Sequence, residues 1–258
     1  MTWAEYLESF HARTAGQTED VLSRCHAGDL TPYSWLIRPV IGRARRVLDL
    51  ACGSAAAAGL LASESAKTGT FVIGVDNSAA ELAVGSERHP VPLLQADVQR
   101  LPFADQAFDA VVCSMGLMVV QPLPEILAEV ARVTRENGLL VATVASPLPL
   151  RRADLMLLGR LTAKLRTTPR FPAGGELGGI GTALTEAGFD VLEDGRERFA
   201  FTVRTAEDAD LLLGSLYLPD TTEDRRDAAA RWLAEQGQSR NGVDVAIPIR
   251  RITAMRRA

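Results

Sequence analysis

Three aspartates follow apolar runs at regular intervals, and each could accept hydrogen bonds from one bound ligand. They are Asp49, Asp76 and Asp97, at or just beyond the ends of three runs rich in valine, leucine and isoleucine. The runs predict buried strands of a parallel sheet. Ligands of such sheets lie across the carboxyl ends of the strands, so we expect the carboxylates to face one crevice. Asp76, 27 positions beyond Asp49, is suited to accept from both hydroxyls of a ribose.

A turn of small residues joins the first strand to an alanine-rich helix, with Ala51, Cys52 and Gly53 directly after it and Ser54 and Ala55 next. Small side chains let backbone N–H groups approach a ligand, and the new helix presents its positive end there. The pattern predicts a nucleotide-binding turn. A nicotinamide oxidoreductase shares this turn and the ribose carboxylate, but the chain has no convincing G-x-G-x-x-G.

An ordered set of motifs carries a family resemblance. Residues 47–53, 72–76, 96–98 and 108–109 resemble the class I S-adenosylmethionine-dependent methyltransferases, and the resemblance covers about residues 44 to 146. It implies an α/β fold with a Rossmann-like sheet, mostly parallel, whose last strand is antiparallel. It also implies an N-terminal helical lid, a helical insertion before the last strand, and S-adenosylmethionine as the cofactor.

The resemblance assigns a role to each acidic residue. Asp49 organises the turn that holds the methionine part of the cofactor, Asp76 binds the ribose, and Asp97 binds the adenine amino group, with the Val98 N–H facing the ring. The implied cofactor-binding residues are Asp49, Ala51, Cys52, Gly53, Asp76, Asn77, Asp97, Val98 and Ser114. The family usually has glycine where this chain has Ala51 and Ala55, and Ala55 adds a methyl group where helix and strand approach closely.

Candidate substrate-binding residues are predicted in the segments that precede the first strand and follow the fourth strand. Tyr33 and Trp35, near the end of the N-terminal segment, either stack over the cofactor or anchor their helix to the core. Met115 and Met118 either floor an apolar acceptor pocket or fill the core. Of the three histidines, His11 is the candidate catalytic base because it lies in the predicted lid.

The domain prediction assigns residues 1–40 to the lid and residues 41–258 to the methyltransferase domain, with helical additions at about 147–175 and 206–236. Helical spacing predicts helices at Leu123–Glu136, from about Leu177 to Ala187, at Glu207–Leu218 and at Arg225–Glu235. Strands are predicted at Leu139–Ala145, Phe189–Val203 and Val243–Met255, and a loop at Thr167–Gly175.

Composition limits the classes of partner. A net charge of −4 and a pI near 5.5 argue against nucleic acid, and we read the short cluster Arg151 and Arg152 as a solvated surface. Three scattered cysteines indicate neither disulfides nor a metal site, so we expect no metal and a cytoplasmic location. No apolar run reaches spanning length, so we expect no membrane partner. Leu155 and Met156 either indicate a partly hydrophobic substrate or, as we expect, pack as an ordinary helix face, and the sequence does not indicate an oligomeric state.

The sequence therefore predicts methyl transfer to the oxygen, nitrogen or carbon of a small molecule, in a biosynthetic role such as secondary metabolism. One alternative is a methyltransferase-like protein that binds the cofactor but catalyses another reaction, such as cyclisation. Ala55 in the turn motivates this alternative, as does the lack of a clear base. The other alternative is the nicotinamide-dependent oxidoreductase.

Overall fold

The apolar runs of the sequence form one seven-stranded sheet with helices on both faces. The computed structural model describes residues 2–64, 69–172, 178–238 and 241–258. The strands are β1 (Arg46–Leu50), β2 (Phe71–Asp76), β3 (Leu93–Gln95), β4 (Phe108–Ser114), β5 (Thr134–Ala145), β6 (Phe189–Val203) and β7 (Val243–Arg256). The helices are α1 (Trp3–Thr14), α2 (Gln17–Leu22), α3 (Pro32–Ile37), α4 (Ala56–Glu64), α5 (Ala79–Arg88), α6 (Leu123–Val133), α7 (Arg152–Leu165), α8 (Ile180–Glu186), α9 (Ala206–Gly214) and α10 (Glu223–Gly237).

The strand order is β3-β2-β1-β4-β5-β7-β6. The first five strands pair in parallel, whereas β7 is antiparallel to both β5 and β6. Six strands therefore run one way and the last runs the other way. This confirms the predicted Rossmann-like sheet with an antiparallel last strand.

The central strands are buried on both faces, as their continuous apolar sequence requires. All of β4 from Phe108 to Cys113 is buried, and β1 is buried after its first residue. One face packs on a core that includes α3, α4, α9 and α10, and the other packs on α6 and α8. The carboxyl ends of β1, β2 and β4 therefore stand on a rigid base.

The additions lie where the sequence predicts helices. The N-terminal segment breaks into α1, α2 and α3 near Gly16 and before Pro32. Helices α9 and α10 form the insertion between β6 and β7, although α9 ends at Gly214 and not at Leu218. Strand β6 has the predicted bounds, and β7 extends one residue further than predicted. Residues 173–177 of the predicted loop and helix start lie outside the described residues.

The boundary between α6 and β5 differs from the prediction. The helix predicted to run to Glu136, before the stop residues Asn137 and Gly138, ends at Val133, and β5 begins at Thr134. The Thr134 backbone is extended, and its hydroxyl donates to the Val130 carbonyl at 2.6 Å, capping the last turn. Thr134 then pairs with Phe108, so tertiary strand pairing overrides the local stop signal.

Candidate cofactor and acceptor site

The turn after β1 has the conformation that close approach to a ligand requires. Ala51, Gly53 and Ala55 all have positive φ, at 50°, 55° and 65°. This left-handed region costs roughly 1–2 kcal/mol for a residue with a Cβ, so the two alanines hold strain that the surrounding structure must offset. Ala55 is fully buried, and α4 begins directly after it. The methyl group of Ala55 is thus accommodated inside the core, and the turn keeps its left-handed conformation.

Asp49 lies inside β1, beneath this turn, and is fully buried. Its Oδ2 accepts from the Ala58 N–H at 2.9 Å, but its Oδ1 has no hydrogen-bond partner among the described residues. Burial and, to a lesser extent, the nearby Asp76 raise the pKa of Asp49 to about 7, and the Ala58 hydrogen bond opposes this shift. A buried carboxylate oxygen without a donor fits a ligand that carries donors or positive charge.

Asp76 ends β2 beside the turn and is 9% exposed. Its Oδ2 accepts from the Gly53 N–H and its Oδ1 from the Ser78 N–H, both at 2.8 Å. Burial raises the pKa of Asp76, while these two backbone bonds oppose the shift. Each carboxylate oxygen retains a lone pair that a ribose hydroxyl could use.

Asp97 lies apart from this pair. Strand β3 ends at Gln95, two residues before it, so the predicted third element is shorter than expected. The Asp97 side chain is exposed, and its Oδ1 accepts from the Gln99 N–H at 2.9 Å. The next residue, Val98, is buried in the core, and the Asn77 carbonyl accepts from the Gln95 side chain at 3.0 Å. The structure thus gathers Asp49 and Asp76 around the turn and places Asp97 on the adjoining surface loop.

The loop after β4 closes the other side of the turn. Ser114 ends the strand, and Met115 has a positive φ of 59°. Met118 is buried, with its sulfur accepting from the Ala145 N–H at 3.4 Å, so it joins this loop to the end of β5. Gly116 lies directly against the turn, because a Cβ there would stand 2.8 Å from the Ala51 Cβ.

Gly116→Ala is therefore expected to destabilise the protein by about 1–3 kcal/mol, because the added methyl group forces the loop away from Ala51 and Cys113. Cofactor affinity should fall as well. Differential scanning calorimetry and a binding titration measure the two effects. Gly181→Ala in α8 is the matched control, since a Cβ there meets nothing within 4 Å. Unchanged stability and affinity in Gly116→Ala would contradict the close packing.

Tyr33 and Trp35 have different surroundings although both belong to α3. Tyr33 is buried and lines a cavity of about 380 Å³ beside the first turns of α4, together with Glu19 and His89. The Trp35 ring stacks under the Arg251 guanidinium at 4.6 Å, and Arg251 donates to the Trp35 carbonyl. Trp35 therefore anchors α3 to β7.

His11 belongs to a cluster that sequence reasoning missed in part. Its Nδ1 lies 2.8 Å from Glu81 Oε1, and its Nε2 lies 3.1 Å from the Tyr217 hydroxyl. Glu81 is 4% exposed and also accepts from the Gly16 N–H at 2.9 Å. The cluster joins α1, α5 and the segment between α9 and α10. The sequence signal for Glu81 was only its place five residues after Asp76, and nothing in the sequence pointed to Tyr217.

Three other features were sought among the described residues: a metal site, a nucleophilic cysteine and a membrane-spanning helix. Within them, no group of three His, Cys, Asp or Glu side chains is arranged to hold a metal ion. Burial raises the pKa of the Cys25 and Cys113 thiols to about 12, so neither is an activated nucleophile. No helix in the described ranges combines the length and apolar character needed to cross a bilayer.

Comparison with known proteins agrees with this geometry. A family model described as a methyltransferase domain matches residues 48–142. The match and the sheet order agree in indicating a methyltransferase-like fold around residues 48–142. The matched segment holds the turn, all three aspartates and the loop after β4, and it ends before α7.

Curated relatives match only part of the chain. The demethylmenaquinone methyltransferase of Mycolicibacterium paratuberculosis is 45% identical over 101 residues, which cover 39% of this chain and 42% of the relative. The enzyme of the same name from Streptomyces griseus is 40% identical over 99 residues, or 38% of this chain and 41% of the relative. The match thus spans well under half the length of these relatives.

Solved structures share the fold over a longer stretch. The [4+2]-cyclase SpnF superposes with a TM-score of 0.62 at 17% identity, covering 98% of this chain and 95% of that one. The YcgJ protein from Bacillus subtilis gives a TM-score of 0.57 at 18% identity, covering 88% of this chain and 98% of that one. At such low sequence identity, the structural similarity supports the fold alone, and no reaction is inferred from it.

Proposed function

We propose that the protein transfers the methyl group of S-adenosylmethionine to a small, partly apolar molecule. The observation that carries the proposal is the orphaned Oδ1 of the fully buried Asp49, beneath a strained turn and beside the Asp76 carboxylate. Two buried acids beside backbone N–H groups suit a ligand that combines positive charge with hydroxyl donors. S-Adenosylmethionine has both.

Different residues would bind different parts of the cofactor. Asp49 and the turn residues Ala51, Cys52 and Gly53 would hold the methionine end, and Asp76 with Asn77 would hold the ribose. Asp97 and Val98 would border the adenine, and Ser114 would lie toward the acceptor. The bound cofactor supplies an activated methyl group, so the chain's main task is alignment, which contributes roughly 7–11 kcal/mol in favourable model reactions.

The acceptor would lie under the helical additions. We propose that residues 1–40 act as a lid and that the additions at about 147–175 and 206–236 choose the acceptor, with Tyr33, Met115 and Met118 near it. These additions lie outside the matched residues 48–142, so the relatives' acceptor, demethylmenaquinone, is one member of a panel to test and not an assignment. A cytoplasmic, biosynthetic role fits this proposal.

His11 is the proposed base for an acceptor that loses a proton. Glu81 accepts from the Gly16 N–H, and the same carboxylate can accept from His11 Nδ1, which leaves Nε2 as the acceptor facing Tyr217. A proton leaving the acceptor could pass through the Tyr217 hydroxyl to Nε2, with Glu81 stabilising the resulting cation.

His11→Ala should then lower kcat by about 100-fold, and Tyr217→Phe by about tenfold, with little change in the KM for S-adenosylmethionine. Steady-state kinetics at a fixed pH measure this. His26→Gln is the matched control, because that histidine is exposed and its backbone pairs with Ala200 of β6. Wild-type turnover in both variants would eliminate the proposed base.

The direct test of function is a panel assay. Purified protein is mixed with S-adenosylmethionine and phenol, amine, carboxylate and quinol acceptors, and release of S-adenosylhomocysteine is followed. The proposal predicts release with at least one acceptor, together with thermal stabilisation by S-adenosylhomocysteine and none by NAD or NADP. Stabilisation without release on any acceptor, with conversion of a substrate that consumes no cofactor, would favour the cyclisation alternative.

A further inference from the structure

The exposed face of α7 departs from the sequence-based prediction of ordinary helix packing. Leu155 and Met156 are each 57% exposed, and Leu148 in the connection that precedes the helix is also 57% exposed. Arg152, Leu155 and Met156 share one face at helical spacing, and the exposed Gly159 continues it. Large apolar side chains are thus turned toward solvent together.

The segment that carries these side chains is basic. Residues 150–166 contain five basic residues and a single acid, although the whole chain has a net charge of −4. The acid is Asp154, which is buried and paired with Arg198 of β6 at 2.6 Å. That ion pair lowers the pKa of Asp154, so its charge is neutralised within the protein. The exposed basic residues are Arg151, Arg152, Arg160, Lys164 and Arg166.

The opposite face of α7 fixes the helix to the protein. Leu161 and Leu165 are buried in the core, and the Lys164 ammonium lies 5.3 Å from the centre of the Trp232 ring of α10. The Asp154–Arg198 pair secures the first turn. The exposed apolar face is therefore held outward by three separate contacts and is not a frayed end.

We propose that this face, comprising Leu148, Arg151, Arg152, Leu155, Met156 and Arg160, docks the protein on an anionic lipid surface. A few apolar side chains surrounded by flexible cations suit shallow insertion, since leucine and methionine enter the acyl boundary while arginine reaches the headgroups. The helix follows the carboxyl end of β5, which is paired with Ser114 of β4 through Thr143. The docking helix therefore begins after the same end of the sheet that carries the turn.

The proposal replaces the sequence-based expectation that the protein has no membrane partner, and it does not depend on methyl transfer. The test uses the full chain in flotation with vesicles of phosphatidylcholine alone or mixed with phosphatidylglycerol. We expect partitioning at least tenfold stronger on the anionic vesicles, and weaker at high salt.

Two double variants separate charge from insertion. Arg152→Gln with Arg160→Gln should weaken binding about thirtyfold, and Leu155→Ser with Met156→Ser at least tenfold. Leu192→Ser is the matched control, since Leu192 is 55% exposed near the start of β6, away from this edge. It should bind as the wild type does. Circular dichroism melting confirms that each variant is folded.

Equal partitioning on both vesicle types, or wild-type binding in the apolar double variant, would overturn the proposal. The proposal would also be overturned if the wild-type protein does not bind vesicles but elutes as a dimer, and if the double variant Leu155→Ser with Met156→Ser elutes as a monomer. In that case the face is an interface between copies of the chain.

Discussion

Asp76→Ala is expected to weaken cofactor binding by about 100- to 1,000-fold, because charge-assisted hydrogen bonds to two ribose hydroxyls are each worth roughly 1.5–3 kcal/mol. The Gly53 and Ser78 N–H groups would lose their acceptor as well, so the turn should loosen modestly. Equilibrium dialysis with labelled S-adenosylmethionine measures the affinity.

Asp97→Ala is the informative comparison. Its carboxylate is exposed and accepts only from Gln99 among the hydrogen bonds of the described chain, so its loss should weaken binding about tenfold or less. The thermal midpoints of both variants should stay within a few degrees of the wild type. Wild-type affinity in Asp76→Ala, or a larger loss in Asp97→Ala, would contradict the placement of the ribose.

Asp49→Asn is expected to raise stability and abolish turnover together. The pKa of Asp49 is about 7 in the folded protein, against 3.8 when exposed. Between these values the unfolded chain releases the proton and the folded chain keeps it, so wild-type stability falls as pH rises from about 4 to 7. The asparagine has no such titration, and above pH 7 the variant should melt a few degrees higher than the wild type.

Binding should show the converse dependence. A cationic ligand favours the ionised Asp49, so wild-type affinity for S-adenosylmethionine should increase between about pH 5 and pH 8. The asparagine variant should bind weakly at every pH. Melting curves and titrations at pH 5 and pH 8 test both statements. A variant that melts below the wild type at pH 8, or binds as well, would show that Asp49 serves the fold and not the ligand.

Much of the fold could be predicted because its signals are local. Strand β6 has the predicted bounds, Phe189–Val203, and polar and apolar burial alternates only toward its end. The turn between β1 and α4 was predicted from small residues alone. The end of α6 was not, because Asn137 and Gly138 are good stop residues, and only the pairing of Thr134 with Phe108 moves the boundary.

The candidate site divides in the same way. Asp49 and Asp76 carry sequence signals because each ends an apolar run, whereas Glu81 and Tyr217 reach His11 only through tertiary packing. The exposure of Leu155 and Met156 was also beyond prediction, since an apolar helical face is normally buried against a neighbour. Residues that act through long-range contacts leave no local pattern.

Calorimetric titration of the wild-type protein with S-adenosylhomocysteine is the most direct test of the central claim, that the turn after β1 and the carboxylates below and beside it form an adenosyl cofactor site. We predict saturable heat from one site per chain, greatly reduced in Asp76→Ala. A folded wild-type protein that gives no heat with either S-adenosylhomocysteine or S-adenosylmethionine would contradict the claim.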